Sequence, residues 1–268
     1  MGALFRLSEN FKFLSGKTNE VIQQFKLHGV VLKDNRNVVK KISFEETSLV
    51  VKSFSGMYFF NRLAYSLFRK SKAQRSFEYA MQLQKLRINT PQPIAYIDIY
   101  KIGLLQESYY LSKYDPVTNL YDILNYNINA ETFERKSLLN AFAHFVSYLH
   151  NNGIFHADLS ISNVLVHNEQ NSLSFSLVDL NRIKFKKNSY SARIKNLSKL
   201  AFLHSQDMLY FLQKFAELNH ISYQKISNDL TAYTSKINMI RNFRKKIKAY
   251  TLTPIENKFK SIIESLKK

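Results

Sequence analysis

The chain contains no cysteine and no tryptophan, and only 6 glycines and 4 prolines among its 268 residues. Without cysteine, disulfides, thiolate metal sites and a cysteine nucleophile are excluded. Scarce Gly and Pro, with no repeat or low-complexity tract, argue against linkers and disorder and for a continuously folded chain. Acidic residues are also few: 20 Asp and Glu against 39 Lys and Arg leave a formal net charge of +19. A field of that sign favours anionic partners, whether nucleic acid, acidic lipid headgroups or phosphorylated sugars. No apolar run approaches the roughly 20 residues that span a bilayer. The start, Met1-Gly2-Ala3-Leu4-Phe5-Arg6, lacks the long apolar core of a signal peptide. The expectation is a soluble chain, at most peripheral on a membrane. What is plentiful is apolar: 45% of the residues, enough for one large domain or two small lobes sharing a cleft.

The first half reads as strands followed by a helix. Val21 to Lys33 and Asn37 to Phe44 are rich in β-branched and aromatic residues, separated by Lys33-Asp34-Asn35-Arg36. Ser48 to Phe54 is a further β-type run, with Glu45-Glu46-Thr47 as its hairpin turn. From Met57 to Leu86 the pattern is helical in two pieces divided near Ser71, and Ala73, Phe77, Ala80 and Met81 recur at helical spacing. Thr90-Pro91-Gln92-Pro93 stops that helix. Strands follow at Ile94 to Tyr100 and Ser108 to Ser112, and Asp115-Pro116 marks a connector. Beyond it the chain is mainly helical. Leu138, Phe142, Phe145, Val146 and Leu149 form one apolar stripe ending at Gly153, and Met208, Phe211, Leu212 and Phe215 form another. The order implies an α+β fold with a strand-rich portion over 1–115 and a helical portion over 116–268.

Chemistry concentrates in Leu149-His150-Asn151-Asn152-Gly153-Ile154-Phe155-His156-Ala157-Asp158-Leu159-Ser160-Ile161-Ser162-Asn163-Val164-Leu165-Val166. It contains H-x-D-L-x-x-x-N, which resembles a kinase catalytic loop, between a buried helix and a short apolar strand. In that chemistry a carboxylate orients the acceptor hydroxyl and accepts its proton, while an amide oxygen on the same loop turns to the metal on the phosphates. Asp158 and Asn163 have the spacing for one tight loop to aim both into one cleft. Phe175-Ser176-Leu177-Val178-Asp179-Leu180-Asn181 is an apolar strand ending in a carboxylate, where kinases carry Asp-Phe-Gly, and a hairpin turning at His167 to Asn171 fits between. Upstream, Lys52 lies in a β-type run and Glu78 on the following helix, as do the kinase lysine and the glutamate that holds it. Each feature alone is weak. Their order and placement together are not.

The sequence resembles the bacterial lipopolysaccharide core kinases, the Kdo and heptose kinases, over roughly residues 37 to 200. The likeness includes Val51-Lys52-Ser53-Phe54, Phe68-Arg69-Lys70-Ser71-Lys72-Ala73, Arg75-Ser76-Phe77-Glu78-Tyr79-Ala80, Thr90-Pro91-Gln92-Pro93-Ile94-Ala95-Tyr96 and Ser108-Tyr109-Tyr110. It implies a two-lobed protein-kinase-like fold, an antiparallel sheet with a helix in the first lobe and a mainly helical second lobe. It also implies transfer of the γ-phosphate of ATP, with Mg²⁺, onto a sugar hydroxyl of the lipid-linked inner core. On that resemblance Asp158 is the base, Asn163 and Asp179 are the metal ligands, and Lys52 with Glu78 anchors the phosphates. The implied partner is an anionic glycolipid, lipid A carrying Kdo or heptose. The implied location is cytoplasmic and peripheral on the inner membrane.

Several features depart from protein kinases. No G-x-G-x-x-G precedes Lys52, so phosphate cover falls to other backbone amides or to a basic side chain such as Arg36. Ala157 replaces the arginine of His-Arg-Asp, Asn181 replaces the glycine of Asp-Phe-Gly, and no Ala-Pro-Glu segment is present. These losses suit a small-molecule or glycolipid kinase. An atypical Ser/Thr protein kinase and a non-catalytic nucleotide-binding scaffold are the competing readings. Basic residues cluster at Arg182, Lys184, Lys186, Lys187, Arg193, Lys195 and Lys199, at Arg62, Arg69, Lys70, Lys72 and Arg75, and at Arg241, Arg244, Lys245, Lys246 and Lys248. The first follows Asp179 and is expected beside the acceptor. Phe243, Ile247 and Tyr250 among the lysines of the third fit either a membrane surface or a plain helix. Nucleic acid is not expected, since no recognised nucleic-acid module accompanies the charge.

Overall fold

The computed structural model describes residues 2–54, 59–126, 134–169, 172–202 and 204–251, without the side chains of 59–61, 67 and 244–251. The first lobe is an antiparallel sheet that collects strands β1 (Gly2–Leu7), β2 (Val30–Asp34), β3 (Val38–Phe44), β4 (Thr47–Ser53), β5 (Pro93–Lys101) and β6 (Leu104–Lys113) in the order β1-β5-β6-β4-β3-β2. Helices α1 (Thr18–Leu27), α2 (Phe59–Leu67) and α3 (Lys72–Lys85) accompany it. One face of the sheet packs Ile42, Leu49, Val51, Ile97 and Leu111 against Val21, Ile22 and Phe25 of α1. The other receives α3, whose Ala73, Phe77, Ala80 and Leu83 form a buried stripe. β5 lies between the two layers and is therefore buried along most of its length, on both faces. Strand alternation then decides where Lys52 goes. Leu49, Val51 and Ser53 of β4 are buried, so Lys52 points to the opposite face, the one shared with α3.

The second lobe holds α4 (Leu120–Tyr126), α5 (Arg135–Asn151), α6 (Tyr190–Leu197), α7 (Ser205–Leu218) and α8 (Tyr223–Thr251), with the short strands β7 (Ile154–His156), β8 (Val164–Glu169), β9 (Ser172–Leu177) and β10 (Ile183–Phe185). The two stripes read from sequence meet here. Phe142 of α5 and Phe211 of α7 lie 5.3 Å apart between ring centroids. One apolar core continues from α3 through α5 to Ile226 and Leu230 of α8. The lobes are also stitched by polar contacts: Thr90 Oγ1 donates to the Leu177 carbonyl at 2.8 Å, and the Leu177 amide donates to the Asn89 carbonyl at 3.1 Å.

Two sequence expectations are corrected. Val21 to Lys33 is not a strand: Thr18–Leu27 is helical, and only Val30–Asp34 is extended. Val21, Ile22 and Phe25 fall on one helical face with Asn19, Gln23 and Gln24 outside, so the helical period overrides β-branched composition. Gly2–Leu7, given no element from sequence, pairs with β5 as an edge strand. The hairpin between β8 and β9 is present and its strands run from Val164 to Glu169 and from Ser172 to Leu177. His167 to Glu169, expected in its turn at His167 to Asn171, are paired strand residues, and positions 170–171 lie outside the described residues. So do Met57 and the side chains of Ile247 and Tyr250.

Candidate active site

Gly153 starts the local architecture of the site. It leaves α5 at φ +70, a conformation that favours glycine, and a Cβ there would lie 2.5 Å from the Lys186 carbonyl oxygen. That close approach lets β7 pair with β10, and it brings Ala157 N–H to the Arg182 carbonyl at 2.8 Å. The loop carrying Asp158 is thereby fixed beside the segment that follows Asp179.

His156 ties the two together. It is buried; its Nδ1 accepts the Asp158 N–H at 3.2 Å, and its Nε2–H is directed at the Val178 and Asp179 carbonyls, each at 3.1 Å. Those partners assign the proton to Nε2. Burial lowers its pKa, against the pull of the Asp179 charge, so it serves as a neutral brace. Asn196 Nδ2 holds the His156 carbonyl at 2.7 Å, and its Oδ1 lies 2.9 Å from His150 Nε2.

The loop also closes on itself. Asn163 Nδ2 donates to the Asp158 carbonyl at 3.0 Å, and the Val178 N–H donates to the Asn163 carbonyl at 3.0 Å. With its amide nitrogen committed to the loop, the oxygen is the atom Asn163 has to offer a cation. Asp179 itself adopts a left-handed backbone, φ 57 and ψ 45, directly before a short 3-10 turn at Leu180–Arg182. Aspartate is among the residue types that tolerate this region.

Lys52 forms an ion pair with Asp179. Arg182 bridges both carboxylates: Nη1 to Asp158 Oδ2 at 3.2 Å and Nε to Asp179 Oδ2 at 3.1 Å. Burial resists ionisation of Asp179, yet Lys52 and Arg182 outweigh it and hold its pKa below the usual carboxylate range. The two pairs differ in environment. Lys52 and Asp179 side chains are 16% and 18% exposed, whereas Asp158 is 49% exposed. A pair as open as Asp158–Arg182 is worth at most about 1 kcal/mol and yields readily to a competing ligand.

Asp158, Asn163, Asp179 and Lys52 are thus brought together. Glu78 is not joined to them: its carboxylate is held by Lys70 at 2.7 Å and by Gln74 at 3.1 Å. The expected Lys52–Glu78 pair is replaced by Lys52–Asp179. Sequence reasoning placed Arg182 in a cluster beside the acceptor and gave no role to His156. The signal for Arg182 was its position three residues after Asp179, within reach of a side chain on the same turn. Two further members of that basic run make other contacts. Lys186 covers the Phe155 ring at 4.5 Å, and Arg193 bonds Asn151 and Asn188, at 2.8 and 2.9 Å.

An antiparallel sheet with α1 on one face and α3 on the other, a helical second lobe, and a loop–strand–turn cleft between them define a protein-kinase-like fold. Residues 35–222 match the Lipopolysaccharide kinase (Kdo/WaaP) family. The chain belongs to that family. A solved structure of WaaP in complex with acyl carrier protein superimposes with a TM-score of 0.58 at 19% identity, covering 87% of this chain and 97% of that one. The yeast RNA Pol II CTD kinase CTDK-1 complex gives a TM-score of 0.39 at 17% identity over 59% of this chain and 46% of that one, too loose a likeness to compare sites. No curated protein matches the chain.

Proposed function

We propose that this kinase-family chain transfers the γ-phosphate of ATP to a sugar hydroxyl, of Kdo or heptose, on the lipopolysaccharide inner core. The observation that carries the reading is the span of Arg182. One guanidinium touches Asp158 and Asp179, so an acceptor-side carboxylate and a phosphate-side carboxylate face a single small volume beside Lys52. Asp158, the more open of the two, is suited to orient the acceptor hydroxyl and take its proton on a carboxylate oxygen. The acceptor oxygen forms its bond to the γ-phosphorus as the bond from that phosphorus to the ADP oxygen breaks. Lys52 supplies a point charge for the phosphates, and catalysis is chiefly positioning and electrostatics.

The donor set fits Mg²⁺. One carboxylate, Asp179, and one amide oxygen, Asn163, are the sparse oxygen ligands that a cation retaining water and phosphate oxygens requires. Among the described residues no group of three or more His, Asp and Glu offers a fuller cage. When bound, Mg²⁺ neutralises charge on the phosphates. Among the described residues no helix is long and apolar enough to cross a membrane. A net charge of +19 supports an anionic glycolipid as acceptor at a membrane surface.

The test is incubation of the protein with Mg²⁺, γ-labelled ATP and either Kdo-bearing lipid A, heptose-bearing lipid A or a protein panel. Label in glycolipid and not in protein is expected. Label in Ser or Thr of the panel alone assigns an atypical protein kinase, and ATP binding without any transfer assigns a scaffold; either result refutes the proposal.

A further inference from the structure

More positive charge gathers around Lys52 and Asp179 than the two carboxylates balance. Lys72 is the first residue of α3, directly after Ser71, whose Oγ caps the helix by accepting the Gln74 N–H at 2.9 Å. Its ammonium lies 5.9 Å from the centroid of the Phe54 ring, and the Lys52 ammonium lies 5.2 Å from the same ring. The cations Arg36, Arg75, Arg182 and Lys52 all act on Lys72 electrostatically. Burial first, and then these neighbours, push the Lys72 pKa below the ordinary lysine value. The carboxylate on the same helix, Glu78, is engaged by Lys70. Arg75 adds a buried Nε without a hydrogen-bond partner among the described residues.

Cations from the β2–β3 tip, β4, α3 and the turn after Asp179 therefore converge on one place. Like charges crowded into a half-buried setting repel one another, and a bound anion relieves that arrangement. The chain also lacks glycine-rich backbone at the β2–β3 tip, where Asn35, Arg36 and Asn37 lie instead. We propose that Lys72 engages the triphosphate of ATP from the α3 side, with Arg36 and Arg75 beside it, in place of backbone amides from a glycine-rich loop. This rests on the ATP-dependent reading above and adds a second phosphate-binding cation to Lys52. It also separates the basic cluster on the first-lobe helices: Lys70 neutralises Glu78 and Arg62 bonds Gln106, whereas Lys72 faces the cleft.

The test is calorimetric titration of wild type, Lys72→Met, Lys72→Arg and Lys101→Met with ATP, ADP and adenosine in Mg²⁺, with a melting curve for each. A charged contact to phosphate predicts that Lys72→Met weakens ATP by about tenfold or more, ADP by less and adenosine not at all. Lys72→Arg is expected to retain most of the ATP affinity, and the exposed Lys101 serves as the charge control. Lys72→Met should melt no lower than wild type, since a crowded cation is removed. Equal ATP affinity in wild type and Lys72→Met overturns the inference while leaving the kinase reading standing. Parallel loss of ATP and adenosine with a lower melting point also overturns it, by showing a structural role. Wild type that binds no ATP refutes the kinase reading and this inference with it.

Discussion

Among single residues, Asp158, Asp179 and Lys52 carry distinguishable loads. Asp158 is half exposed and its pair with Arg182 is worth at most about 1 kcal/mol, so Asp158→Asn is expected to leave the melting point nearly unchanged. The same change should lower turnover by about 10²–10⁴-fold, the usual contribution of a positioned base. Lys52→Met is expected to weaken productive ATP engagement while leaving acceptor affinity intact, which steady-state kinetics in both substrates will separate. His150, joined to His156 through Asn196, predicts a pH effect on stability. Burial drives its pKa down to about 4, below a value near 6.5 in the unfolded chain. The unfolded state therefore binds the extra proton, and stability falls as pH drops from about 6.5 to about 4. The loss is on the order of 3 kcal/mol. Denaturant titrations across that range should show a shallower pH slope in His150→Phe than in wild type; equal slopes contradict the assignment. At this scale the sequence named the polar residues but not their partners. The choice of Lys52 between Glu78 and Asp179 depends on how β4, α3 and the turn after Asp179 are placed in space, and no spacing along the chain encodes that.

Elements explain why those residues hold their places. α3 packs its buried stripe on β5 and β6, and Tyr79 of α3 meets Phe185 of β10 at 5.4 Å between ring centroids. The helix thus touches both the sheet and the segment that follows Asp179. β7 and β10 pair only because Gly153 permits the approach of the Lys186 carbonyl. Gly153→Ala combines a positive φ with that clash and is expected to cost of order 1–3 kcal/mol in chemical denaturation. Loss of activity should accompany it, because the Asp158 loop hangs from β7. The stripes of α3, α5 and α7 and the hairpins β3–β4 and β8–β9 were legible because one periodicity dominates each. α1 was not. Val21 and Ile22 are adjacent β-branched residues in a ten-residue helix, and its burial against β3 and β5, invisible along the chain, settles its form. β1 was hidden for a related reason, since its residues are almost wholly exposed and its pairing with β5 is the feature that defines it.

Across the whole molecule, one core runs from α3 into the second lobe while a separate core fills the outer face of the sheet. The cleft lies where the first core, Lys52 and the Asp158–Asp179 segments meet, and family membership was legible because each motif falls on an element that this arrangement requires. A formal net charge of +19 favours anionic ligands, and Lys52 and Arg182 bring part of that charge to the carboxylates of the cleft. The proposed reaction is phosphate transfer to an inner-core sugar with Asp158 as base. The most direct measurement is mass spectrometry of Kdo-bearing and heptose-bearing lipid A after incubation with ATP and Mg²⁺, using wild type and Asp158→Asn in parallel. One added phosphate on the sugar is expected with wild type and little or none with Asp158→Asn. Unmodified glycolipid with active wild type, or equal product from both proteins, contradicts it.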